Sequence, residues 1–84
     1  MDNMTMEIKR GYKDGKYNED NTLKYSNITI ENVVAMLEDM KERYANGIVN
    51  MGTEVAAIKV NSWMVIIKSA KDFDTMLNEY KQYI

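Results

Sequence analysis

The stretch "RGYKDGKYNED", residues 10–20, gathers Arg10, Lys13 and Lys16 with Tyr12 and Tyr17 around one Asp14-Gly15 pair. Cations interleaved with aromatic rings suit single-stranded nucleic acid, with charge for the phosphates and ring faces for the bases. A dedicated phosphate binder carries a basic excess, whereas this chain has 11 Lys and Arg against 13 Asp and Glu, a net charge of −2. Asp14, Glu19 and Asp20 dilute the cluster itself. A calcium loop of EF-hand type starting at Asp14 would put Lys16 where its third position needs a carboxylate or amide. One starting at Asn18 would put Leu23 where the sharp turn needs glycine. The Asp14-Gly15 pair instead suits a two-residue type I′ hairpin turn, which wants positive φ at both positions.

Other chemistry is thin. Glu38 and Glu42 lie four apart beside Asp39, a spacing that can serve a hard cation or proton transfer. Lys41 and Arg43 share that stripe, and Asp39 and Arg43 stand at ion-pair spacing, so it reads as a solvated helix face. Lys59 and Lys68 flank apolar residues and are read as snorkelling from a sheet rather than as amine nucleophiles. The chain has no histidine and no cysteine, which removes the commonest general base, the thiolate nucleophile and the commonest metal ligands. Gly11, Gly15, Gly47 and Gly52 match no phosphate-loop spacing. The sequence predicts no enzyme, no metal and no cofactor.

The elements that would position these residues follow from hydrophobic period. Met4, Met6 and Ile8 alternate with Thr5, Glu7 and Lys9, a half-buried strand over 4–10. Thr22 to about Tyr25 is its expected partner. A tight turn at 14–15 would pair 12 with 17, 10 with 19, 8 with 21, 6 with 23 and 4 with 25. Met4, Met6, Ile8, Leu23 and Tyr25 would then share one face, with Lys9 opposite Asp20 and Thr5 opposite Lys24 on the other.

Helical spacing of Ile30, Val33, Val34, Leu37, Met40 (or Lys41) and Tyr44 predicts a first helix. Thr29 would be its N-cap, and Gly47 its C′ residue with Ile48 packing behind it. Residues 53–60 and 63–68 read as a second hairpin around Asn61-Ser62. Ser69 with Asp72 forms a variant capping box for a second helix carrying Phe73, Met76, Leu77, Tyr80 and Ile84 on one stripe. The fold class expected is α+β: one domain over 1–84, ordered ββαββα, with a four-stranded antiparallel sheet and both helices on one face.

The second hairpin's register puts Val60, Trp63, Ile58, Val65, Ala56 and Ile67 toward the helices, with Trp63 in the core. Met64, Ile66, Ala57 and Val55 would face away, rimmed by Lys59 and Lys68, a pattern suited to an interface. With no apolar leader and no run longer than "WMVII", no membrane span is expected, and a cytoplasmic protein is. The function expected is a small protein-binding module whose partner is another protein, either a different chain or a second copy in a homodimer. Arg10, Tyr12, Lys13, Lys16 and Tyr17 at the tip, and Met64 and Ile66 on the outer sheet face, are the expected contact residues. Size, acidity and AT-rich residue usage liken it to phage and mobile-element inhibitors of host defence, anti-CRISPR proteins among them. A nucleic-acid-binding regulator using the hairpin tip is the alternative.

Overall fold

The computed structural model describes residues 3–13, 16–17, 21–47 and 54–84. In chain order they form β1 (Met4–Arg10), β2 (Tyr12–Lys13), β3 (Lys16–Tyr17), β4 (Leu23–Ile28), α1 (Ile30–Ala45), β5 (Val55–Val60), β6 (Trp63–Ile66) and α2 (Lys71–Tyr80). A 3-10 turn, Lys81–Tyr83, closes the chain. Four strands form one antiparallel sheet in the order β4-β1-β5-β6, and β2 and β3 form a separate two-stranded ribbon. The expected ββαββα order stands, with the ribbon inserted between β1 and β4.

The core lies between the sheet and two helices on its one face. Met4, Met6 and Ile8 of β1 and Ile58 and Val60 of β5 meet Ile30, Val33, Val34 and Leu37 of α1, together with Phe73, Met76 and Leu77 of α2. Alternation in the strands and three-and-four spacing in the helices put these residues on facing surfaces. Tyr80 is buried at the end of that stripe, but Ile84, expected to extend it, is exposed. The 3-10 turn after Tyr80 changes the helical period and swings Ile84 off the stripe.

Both helix starts use side-chain chemistry. Thr29 accepts a hydrogen bond from the Asn32 amide at 3.2 Å, as an N-cap should. At α2, Asp72 reaches back and accepts from the amides of Lys68 (2.6 Å) and Ser69 (2.8 Å). Ser69 makes no side-chain cap and the helix begins at Lys71, so only the acidic half of the expected box is present. Those two amide bonds hold the Asp72 carboxyl below its ordinary value. Gly47 at φ +70 ends α1 in the left-handed conformation glycine favours, and Ile48 lies outside the described residues. Two ion pairs tie the helices together, Lys41 to Asp74 at 2.6 Å and Lys81 to Glu38 at 3.4 Å.

The second hairpin has the expected register: Val60 opposite Trp63, Lys59 opposite Met64, Ile58 opposite Val65 and Ala57 opposite Ile66. Asn61 takes the left-handed turn position at φ 54, and its Oδ1 accepts from the Thr5 amide at 3.1 Å, tying the turn to β1. The first hairpin keeps its expected pairs only in the ribbon, Tyr12 with Tyr17 and Lys13 with Lys16. Beyond it the expected register is wrong: Ile8 faces Leu23, Met6 faces Tyr25 and Glu7 faces Lys24. The break falls at Gly11, buried at φ 74, whose amide turns to the Glu54 carbonyl at 2.9 Å instead of continuing the hairpin. A shift of two residues leaves the faces unchanged, so the apolar set stays together. A further slip near Asn27, at φ 56, brings Met4 opposite Ile28.

Candidate protein-interaction surfaces

The two edges of the sheet differ. On β4, the irregularity near Asn27 limits regular pairing to Leu23–Tyr25 and Lys24 places a charge within that stretch, both common ways of restricting an edge. On β6 there is neither. Its ladder with β5 is regular, and no charged residue stands between Val60 and Ile67. Strand alternation turns Met64 and Ile66 to the side away from the helices, where they are 44% and 37% exposed, as expected. Ala57, between Lys9 and Ile66 in the ladders, is fully buried.

Val55 does not join them. The β1–β5 register slips between Lys9–Ala57 and Arg10–Val55, and this bulge turns Val55 inward against the core, contrary to expectation. Trp63 also departs from expectation. It lies on the helix side yet is 36% exposed, because β6 is the edge strand; its ring meets that of Tyr80 at 5.9 Å between centroids. Its indole therefore adds to the apolar end of β6.

Charge on the helix-free face is concentrated at its centre. Glu7 of β1 lies 3.6 Å from the Lys9 ammonium and 4.0 Å from that of Lys59. Lys59 is thus held toward β1, so the apolar strip is bordered by a cluster of two lysines sharing the Glu7 carboxylate. Among the described residues no three carboxylates converge on a common point, and no helix is long and apolar enough to cross a membrane.

The side chains of Tyr12, Lys13, Lys16 and Tyr17, with the Asp14-Gly15 turn, lie outside what the structure describes. Arg10 does not belong with them. It shares the helix-side face of β1 with Ile8, and its Nε donates to the Asn21 carbonyl at 2.9 Å. There it borders a groove of about 280 Å³ between the sheet and the C-terminal half of α1. Leu23 and Tyr25, expected on the apolar face with Met4, Met6 and Ile8, are exposed along this groove because β4 is the outer strand. Met36 and Met40 face them from α1, and Arg43, paired with Asp39 at 3.2 Å, stands at the rim.

Tyr44 closes one end of the groove. Its ring meets Phe73 edge-on at 5.8 Å, and its hydroxyl lies 3.4 Å from Glu54 Oε1 and 3.3 Å from the Lys68 carbonyl. Burial, and then the Glu54 carboxylate, push this phenol above its ordinary pKa, so it remains a donor. Sequence reasoning missed the groove. Its one available signal was Met36, one turn before Met40, outside the stripe assigned to the core. The distinctive surfaces among the described residues are therefore an apolar strip on β6 and a groove flanked by arginine. No protein-family model, curated protein or solved structure matches the chain.

Proposed function

We propose that this chain is a small non-enzymatic protein-binding module, an inhibitor or regulator of phage or mobile-element type acting in the cytoplasm. Its partner is another protein, a second copy of itself or a different chain. One observation carries the reading: β6 is an unguarded edge strand with Trp63, Met64 and Ile66 exposed and no charge between Val60 and Ile67. Such an edge lends its free backbone groups to an incoming strand, while the side chains supply apolar area. The lack of histidine and cysteine supports a binding rather than a catalytic role. The assignment to phage or mobile elements rests on size and composition alone.

Ile66→Lys tests it. The residue is on the helix-free face, so the fold should hold while the added charge opposes association. Sedimentation of both proteins over a wide concentration range, alongside quantitative recovery of bound proteins from the native host, gives the readout. Loss of self-association or of a specific partner in the variant supports β6. A wild-type monomer whose partner recovery is the same as the variant's would remove it. The nucleic-acid alternative gains nothing from Arg10, which is committed to the groove side of β1.

A further inference from the structure

We propose that the groove between β4 and α1 receives an extended segment of a partner protein in which an acidic residue stands next to an apolar one, added as a strand along β4. This is a second surface, at the opposite edge of the sheet from β6, and it does not depend on the reading of β6. The geometry has the three parts such recognition uses. First, β4 is an edge strand, so alternate residues direct N–H and C=O groups away from the sheet. The half from Leu23 to Tyr25 is in regular register with β1, and the irregularity is confined to the Asn27 end.

Second, the groove is apolar where a side chain would enter. Leu23 and Tyr25 on one wall face Met36 and Met40 on the other. Methionines adapt to varied shapes, and two exposed strand residues gain from being covered. At about 280 Å³ the space sits below the roughly 300–1,000 Å³ of sites for drug-sized ligands. It suits a side chain or two of a longer segment, not a cofactor.

Third, the rim has a sign. Both arginines of the chain, Arg10 and Arg43, line this groove against one carboxylate, Asp39. Among the described residues that line it, the groove is thus net positive on a chain of net charge −2. The Asn21 carbonyl holds the Arg10 Nε, which orients a guanidinium fork matched to a carboxylate. On the other face of β4, exposed Lys24 would lie beside the added strand and favours an acidic neighbour there too. Alternation along one added strand can satisfy all of this: apolar into the groove, acidic at the rim, acidic beside Lys24.

A displayed library of random linear peptides, selected on the wild-type protein, tests the proposal. Enriched sequences should combine Asp or Glu with Leu, Ile or Val. As free peptides they should shift amide resonances of β4 and the second half of α1. They should bind the Arg10→Gln/Arg43→Gln double variant roughly tenfold or more weakly, since two charge-assisted contacts are lost. Ile66→Lys should bind them as wild type does, so failure at β6 and failure here are separate results. No acidic enrichment, or shifts mapping to β6, would overturn the proposal. Equal displacement by single-stranded DNA of matched charge would mark a phosphate patch instead. Self-association lost in the arginine variant would name a second copy as occupant and likewise overturn it. Should the double variant melt early, the shift map on wild-type protein decides alone.

Discussion

Asp72 shows how much of this molecule hangs on single polar atoms. Its carboxylate accepts from the two amides just before α2, and their bonds lower its pKa from the ordinary 3.8. A depressed folded-state pKa means that the stabilisation is present above the unfolded value and disappears as pH falls through the lower, folded one. Asp72→Asn should therefore lower the melting temperature at neutral pH, and the gap between the two proteins should close below pH 3.8. Thermal melts across an acid series check this, and a gap independent of pH would assign the effect to packing. The left-handed asparagines are a second residue-scale device. Asn3, Asn27 and Asn61 all have positive φ, a conformation asparagine tolerates better than most side chains. At Asn61 the side chain gives the position a further use by holding Thr5.

At the scale of elements, both helices and the β5–β6 hairpin were legible in the sequence, the hairpin in its register though not in its ends. A two-residue turn at Asn61-Ser62 sets the register, with Val60 opposite Trp63 and Ile58 opposite Val65. The β1–β4 register was not legible, since a glycine that leaves the ladder, such as Gly11, looks like any turn glycine in sequence. Alternation also reports a face and not a depth. It placed Trp63, Leu23 and Tyr25 on the helix side correctly but could not see that edge strands leave them partly uncovered. The bulge that turns Val55 inward breaks the alternation on which its expected outward direction rested. As for the candidate site, Met64 and Ile66 could be read from the sequence, whereas the groove depends on how far α1 overhangs β4. Where period and depth agree, consequences are large: Leu37, fully buried in α1 against the sheet, should cost about 2–5 kcal/mol on replacement by alanine. Denaturant melts measure it, and a loss below about half a kcal/mol, the level of ordinary surface changes, would mean that α1 packs differently.

The whole molecule is two strand-strand-helix halves, β1-β4-α1 and β5-β6-α2, whose first strands pair antiparallel at the centre of the sheet. Outward from that seam each half presents one edge strand, β4 with its groove or β6 with its apolar strip. Partners at the two edges would therefore not compete for the same surface. The central seam joins segments that are far apart in sequence, so its closure requires ordering a long intervening chain. The pairing requires only that the two halves meet, not that one peptide carries both. Fragments 1–50 and 51–84, expressed together, should reconstitute a folded one-to-one complex, detectable by co-purification and by return of the dispersed amide spectrum. Failure to associate would show that the covalent link is needed to bring β1 to β5. By the same logic, at high concentration the first half of one chain can pair with the second half of another, exchanging halves through contacts the monomer already makes.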